Sequence, residues 1–182
     1  MARILALILL SIVLVSCSAT LPYAADYPLT TEIFRSRDSL LSGRVPAGWF
    51  ASSDDTLAPS LSVWLVKEDL NATMIVRELT VDSLTAMRIK SNGLELLAIL
   101  SAAHQGLDIV RDTVKLKEFS LGNKKYCSYE TGLENNRRRV VVFTALGRYY
   151  ECEARILRGE WGTGDIRRLF SVQQSVLSSL LY

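Results

Sequence analysis

The stretch RVVVFTALGRYYECEARIL, residues 139–157, decides the fold of this chain. Its first half is rich in β-branched and aromatic residues, and Gly147 stands near its centre. Its second half alternates, with Tyr150, Cys152, Ala154 and Ile156 on one side and Glu151, Glu153 and Arg155 on the other. Two such runs around a glycine turn are typical of a β-hairpin. We therefore predict antiparallel strands over residues 139–145 and 149–157.

Further strands and helices are predicted on both sides of this hairpin. Residues 114–130 have strand character interrupted at Gly122, and residues 60–67 and 72–79 alternate around a turn at 68–71. From residue 83 to about 104 the apolar period becomes helical, with a break at 91–93. A final helix is predicted from Asp165 as its N-cap, with an apolar stripe. The members of the two helical stripes are Leu96, Leu97, Leu100 and Ala103, then Ile166, Leu169, Phe170, Gln173, Leu177 and Leu180.

These elements predict an α+β fold in which helices cover an antiparallel sheet. Their order resembles the PsbP-like fold, which is shared by PsbP and Mog proteins. The resemblance spans residues 27–182 and is carried by FRSRD at 34–38, VPAGW at 45–49, VVVF at 140–143 and GRYY at 147–150. It implies a binding or assembly subunit, because that family has no shared catalytic residues.

The N-terminus resembles the signal of a bacterial lipoprotein. Arg3 precedes an apolar run over residues 4–15, which is too short to span a bilayer core of about 30 Å. The run ends in Leu14-Val15-Ser16-Cys17, which resembles a lipobox. The resemblance implies cleavage before Cys17 and lipid on its thiol; an ordinary secretory signal is the alternative.

These boundaries divide the chain into a signal peptide at 1–16, a lipidated N-terminus and tether at 17–28, and a single domain at 29–182. The predicted location is the cell envelope. Ser18 after the cysteine favours the periplasmic face of the outer membrane if the organism has two membranes.

The charge of the chain argues against nucleic-acid binding. Its formal net charge is only +2, whereas nucleic-acid-binding domains usually carry a strong basic surplus. The strongest basic cluster is Arg137, Arg138 and Arg139, with Lys124 and Lys125 expected nearby across a hairpin. These arginines are candidate contacts for anionic lipid or a protein partner, while a solvated hairpin end is the plainer interpretation.

Other chemically suggestive residues point to no reaction. His104 is the single histidine, and no sequence feature gives it a catalytic partner. Asp54 and Asp55 lack the alternating ligands of a calcium loop. The glycines at 159–164 lack the lysine of a phosphate loop. We therefore expect no metal, no cofactor and no enzymatic activity.

Cys127 and Cys152 lie in an exported domain, where disulfides are common. In the predicted meander, however, the strand at 139–145 separates them, which places them about 9.6 Å apart, beyond disulfide reach. Counting from the turns places Cys127 near Val140 and Cys152 near Val141, on opposite faces. We expect two buried free thiols.

The sequence thus predicts a membrane-anchored, non-enzymatic envelope lipoprotein that binds a protein partner through a sheet face or edge. Two alternatives remain open. One is a carrier that holds an apolar ligand between sheet and helices, which would show a large apolar cavity. The other is an enzyme of unknown class. A binding module would show an exposed apolar or aromatic patch.

Overall fold

A computed structural model describes residues 21–52, 61–107, 114–133 and 136–182 of the chain. Its main element is a seven-stranded antiparallel sheet with the strand order β3-β4-β5-β9-β8-β7-β6, beside a separate two-stranded sheet of β1 and β2. The strands are β1 Leu29–Arg35, β2 Ser42–Pro46, β3 Trp49–Ser52, β4 Val63–Lys67, β5 Ala72–Leu79, β6 Lys117–Leu121, β7 Lys124–Thr131, β8 Arg138–Ala145 and β9 Arg148–Ile156. The helices are α1 Ser83–Asn92, α2 Leu94–His104 and α3 Thr163–Ser179.

The large sheet is covered on both faces. Because successive strand residues point to opposite sides, β8 sends Val141 and Phe143 into a core with α3, and Val140 and Val142 into a second core with α1 and α2. We call these sides the α3 face and the α1–α2 face. The β1–β2 hairpin lies on the α3 face, where the amide of Arg44 donates to the Ser179 hydroxyl at 3.0 Å. The predicted α+β class is confirmed.

The predicted hairpins are confirmed. Strand β4 pairs with β5, and β7, β8 and β9 form the predicted antiparallel meander. The helical region divides as predicted, because Gly93 separates α1 from α2. Its φ of +79° is one that residues other than glycine rarely adopt.

The predicted apolar stripe of α2 is partly wrong. The helix buries Leu97, Ala98, Ser101 and Ala102 against the sheet, whereas Leu100 and Ala103 are exposed. The expected stripe mixed two faces of the helix, because α2 is apolar on both of them.

Helix α3 begins differently from the prediction. Its N-cap is Gly162, and Asp165 lies in the first turn, where its carboxylate accepts a hydrogen bond from the Gly162 amide at 3.1 Å. An acid in the first turn still stabilises the helix N-terminus. The predicted stripe is confirmed: Leu177 is fully buried, as are Phe170 and Gln173.

The two cysteines of the domain are free and buried, as expected. Cys152 lies opposite Val141 in the α3 core, as predicted. Cys127 lies opposite Val142 rather than Val140, in the α1–α2 core. The β7–β8 register therefore differs from the predicted one by two residues. A shift of two residues leaves each side chain on the same face, so the two thiols are on opposite sides of the sheet, as predicted.

Candidate functional site

Arg139 is fully buried, which corrects its assignment as a surface contact. Its guanidinium donates to the side-chain oxygens of Gln174 at 2.8 Å and Gln173 at 3.2 Å on α3. It also lies near two aromatic rings, 4.9 Å from the centre of Tyr23 and 5.3 Å from that of Phe119. Burial lowers the pKa of Arg139 to about 10, so it is still charged at neutral pH. The Arg139 side chain is therefore part of the protein interior, where it cannot contact a membrane.

The rest of the predicted basic cluster is also dispersed. Arg137 pairs with Glu130 at 2.8 Å, and Arg138 lies 3.8 Å from buried Glu153. Lys124 and Lys125 are at the far end of β7, opposite Leu121 and Ser120, and the Lys124 ammonium donates to the carbonyl of Leu180. Of the three arginines, only Arg137 has a side chain more than a third exposed. The arginine run therefore does not form one surface patch.

The N-terminal segment before β1 is attached to the domain. The Tyr23 hydroxyl donates to Glu130 at 2.6 Å, and its ring packs edge-on against Phe170 at 5.2 Å between centres. Burial, with this hydrogen bond, raises the pKa of Tyr23 to about 12. The Tyr27 amide donates to the Ser175 hydroxyl at 2.9 Å. The later part of the expected tether therefore lies along α3. Cys17 and the signal peptide lie outside the described residues.

Two buried glutamates on β9 form a charged cluster that the sequence alone does not reveal. Arg77 on β5 lies 2.8 Å from the carboxylate of Glu151 and 2.6 Å from that of Glu153. Glu151 also accepts a hydrogen bond from the Ser101 hydroxyl at 2.5 Å. The Ser101 hydroxyl oxygen lies 2.9 Å from the Tyr129 hydroxyl. The sequence shows only that these acids alternate with inward-facing residues of the strand, whereas the structure shows that helices cover both faces of the sheet. The cluster joins β5, β9 and α2.

The remaining sequence candidates form no catalytic arrangement. His104 is exposed at the C-terminal end of α2. Asp54 and Asp55 lie outside the described residues. No group of three His, Cys, Asp or Glu among the described residues could hold a metal ion. No helix in the described part of the chain is long and apolar enough to cross a membrane.

The α3 face has a surface cleft of about 410 Å³ where the end of β4 meets the start of α3. Asp165, Arg168, Leu169 and Val172 line it from a single face of the helix, at the spacing i, i+3, i+4 and i+7. The other walls come from the N-terminal segment, strands β3 and β4, the β4–β5 turn and the β9–α3 loop. They are Tyr27, Trp49, Lys67, Asn71, Glu160 and Trp161.

The outer surface of α1 and α2 carries exposed apolar side chains. Leu84 and Met87 on α1 are 64% and 57% exposed, and Ile99 and Leu100 on α2 are 41% and 36% exposed. With the partly buried Leu96 and the exposed Ala103, the α2 residues follow the spacing i, i+3, i+4 and i+7. We call Leu84, Met87, Leu96, Ile99, Leu100 and Ala103 the outer stripe.

A second recess, of about 350 Å³, lies where α1 and α2 meet the β8–β9 turn. Ile89, Leu94, Ala145, Leu146 and Tyr149 give it a largely apolar lining. It is an open surface recess at the edge of the helix–sheet interface. The large apolar cavity that a carrier would require is not found among the described residues at this position.

The architecture is that of the PsbP/Mog1-like fold: an antiparallel sheet covered by helices on both faces. The Ran-binding protein Mog1p of Saccharomyces cerevisiae is similar, with a TM-score of 0.50 and 9% identity over 85% of this chain and 96% of that one. Cyanobacterial PsbP from Synechocystis sp. PCC 6803 gives a TM-score of 0.46 and 14% identity over 91% and 96% of the two chains.

LpqN of Mycobacterium tuberculosis, described as involved in cell envelope biogenesis, gives a TM-score of 0.41 and 12% identity over 77% and 81% of the two chains. No protein-family model matches the sequence, and no curated protein matches it. Because the identities are so low, the structural comparisons concern the fold alone. The similarity to Mog1p supports the fold resemblance that was predicted from the sequence.

Proposed function

We propose that the chain is a lipid-anchored, non-enzymatic module of the cell envelope that binds a protein partner through the outer stripe. The exposed apolar side chains of α1 and α2 carry this proposal. Clustered apolar residues on a surface are typical of interaction sites. A helix that does no more than cover a core is expected to have a single apolar side, which faces that core. Mog1p, a protein of similar fold, also binds a protein, since it is described as Ran-binding.

A binding role fits the reactive side chains of the domain better than catalysis does. Burial raises the pKa values of Cys127 and Cys152 to about 12, so neither thiol ionises appreciably at neutral pH. A nucleophilic cysteine requires the thiolate. His104 is exposed at the C-terminal end of α2, and no side chain among the described residues hydrogen-bonds to it and orients it as a base.

The proposed anchor would leave the domain from the α3 face, on the side away from the outer stripe. Tyr23 contacts Arg139 and Phe170 on the α3 face, whereas the outer stripe belongs to the layer on the opposite face. Tyr23 is the sixth residue after Cys17, which gives a reach of at most about 20–22 Å. This arrangement favours a protein partner for the stripe over the membrane that holds the lipid.

The anchor is tested with Cys17→Ser and radioactive palmitate. We expect the substitution to abolish lipid labelling and to leave a full-length precursor or an unlipidated form in the soluble fraction. Two or more acyl chains hold a protein on a membrane far more firmly than one. Loss of the lipid should therefore clearly shift the variant from the membrane fraction to the soluble fraction. Undiminished labelling of the variant would refute the lipidation site.

The outer stripe is tested by photo-crosslinking in native membranes. A photoreactive residue at Met87 should give a discrete protein adduct, which combination with Leu100→Glu should remove. Ile33 on β1 provides a matched control because it is similarly exposed, at 61% against 57%, but lies elsewhere. Equal adducts from both positions, or adducts with lipid alone from Met87, would contradict a protein interface at the stripe.

A further inference from the structure

We propose that the cleft at the start of α3 binds a neutral saccharide unit. The cleft belongs to the α3 face and is separate from the outer stripe. Its volume of about 410 Å³ falls within the range of about 300–1,000 Å³ that is usual for small-molecule sites.

The aromatic side chains of the cleft are held in place by their polar ends. The Trp161 indole donates to the carbonyl of Arg158 at 3.2 Å, and the Tyr27 hydroxyl donates to the carbonyl of Ala47 at 2.9 Å. Trp49 is almost completely buried and therefore offers only part of its ring. Rings that are fixed before binding lose little conformational entropy when a ligand packs on them. Leu169 and Val172 are also almost completely buried, so the partly exposed rings of Tyr27 and Trp161 give the cleft most of its apolar surface.

The polar side chains of the cleft balance one another in charge. Lys67 and Arg168 are matched by Glu160 and Asp165, and the amide of Asn71 lies among them. The two cations already lie near aromatic rings, Lys67 at 5.8 Å from the Trp161 centre and Arg168 at 5.7 Å from the Tyr27 centre. A simple anion would meet both carboxylates, and a simple cation would meet both basic groups.

This combination fits a ligand with an apolar face and many hydroxyl groups. Hydroxyls donate to carboxylates and accept from ammonium, guanidinium and amide groups, so they can satisfy the whole rim without a net charge. A purely apolar ligand would instead remove water from these polar groups and give them no hydrogen bond in return, at a cost. A pyranose ring has both properties, because its C–H face packs on aromatic rings while its hydroxyls point outward.

The test is a titration of the full-length protein, in a detergent without a sugar headgroup, followed by tryptophan fluorescence. The background is Trp64→Phe, because Trp64 belongs to the opposite face and its indole donates to Thr73 at 2.9 Å. Trp49 and Trp161 then report on the cleft. We expect saturable fluorescence changes with chitobiose or maltose, and retention on insoluble chitin would show that the polymer also binds.

Trp161→Ala should weaken sugar affinity by about tenfold or more, as expected for an aromatic anchor, while its thermal unfolding curve shows that the domain folds. Asn71→Ala, which leaves the rings in place, should weaken binding to a smaller extent. Absence of saturable binding by both sugars, equal affinity of the Trp161 variant, or tighter binding of the zwitterion glycylglycine would each overturn the proposal. Crosslinking at Met87 is an independent measurement, so failure here leaves the stripe interface standing.

Discussion

Arg77 holds the two buried carboxylates of β9, and its removal should be strongly destabilising. Its guanidinium lies 2.8 Å from Glu151 and 2.6 Å from Glu153, whose side chains are 3% and 1% exposed. Breaking a buried ion pair by removing one partner costs about 3–5 kcal/mol, since the remaining charge stays buried without compensation.

Three contacts that survive the substitution place Arg77→Ala near the lower end of that range. Glu151 retains the Ser101 hydroxyl at 2.5 Å, and Glu153 retains Arg138 and Arg155 at 3.8 Å. Arg77 is itself 33% exposed, so water can replace part of its charge. We expect a loss of about 3 kcal/mol in the free energy of unfolding, which lowers Tm by roughly 6–12 °C in a domain of this size.

The assay is urea denaturation at neutral pH, followed by circular dichroism. Arg155→Ala is the matched control, because Arg155 contacts Glu153 from a side chain that is 46% exposed, and such exposed pairs contribute about 1 kcal/mol or less. Arg77→Met combined with Glu151→Gln and Glu153→Gln should recover much of the loss, since no buried charge is then left unpaired. If Arg77→Ala cost no more than Arg155→Ala, the cluster would not be buried in solution.

Two further predictions concern the cores. Leu177→Ala should lower the free energy of unfolding by about 2–5 kcal/mol, because this side chain of α3 is fully buried; urea denaturation measures it, and a loss below about 1 kcal/mol would mean that α3 is not docked on the sheet. Stability should also fall as the pH rises above about 9. Burial raises the pKa values of Cys127 and Cys152 from 9.0 to about 12, so between these values the thiols ionise only in the unfolded chain, which favours unfolding. Urea midpoints from pH 7 to 10.5 check this, and an equally steep decline in a Cys127→Ala, Cys152→Ala variant would assign it to other groups.

Strands β4 to β9 and the last helix could be predicted because their signals are local. Alternation and a turn glycine define the β8–β9 hairpin, and the 3.6-residue period defines α3. The inward face of α2 could not be predicted in the same way. Both of its sides have apolar residues at helical spacing, and only the packed structure shows that Leu97 and Ala98 face the sheet while Ile99 and Leu100 face outward.

The cleft and the glutamate cluster depend on contacts between distant segments. Tyr27, Lys67 and Arg168 line one cleft although they come from three separate parts of the chain. In the sequence, the alternation of Glu151 and Glu153 is typical of a solvated strand face, because charged residues are rarely buried unless paired. Their partner, Arg77, lies on a strand more than seventy residues earlier, and neither position shows from the sequence alone that they meet.

The arginine run shows why a cluster of like charges in a strand is not a surface patch. Neighbouring strand residues point to opposite faces, so Arg138 lies near Glu153 on the α1–α2 face while Arg139 lies beneath α3. Arg139 has the same parity as Val141, so its side chain is on the side of the α3 core. The complementary signal is Gln173, a polar residue within the apolar stripe of α3. Its side chain accepts from the Arg139 guanidinium at 3.2 Å and donates to the Cys152 carbonyl at 2.8 Å. A polar residue in the middle of a buried helix stripe therefore indicates that a polar partner is buried opposite it.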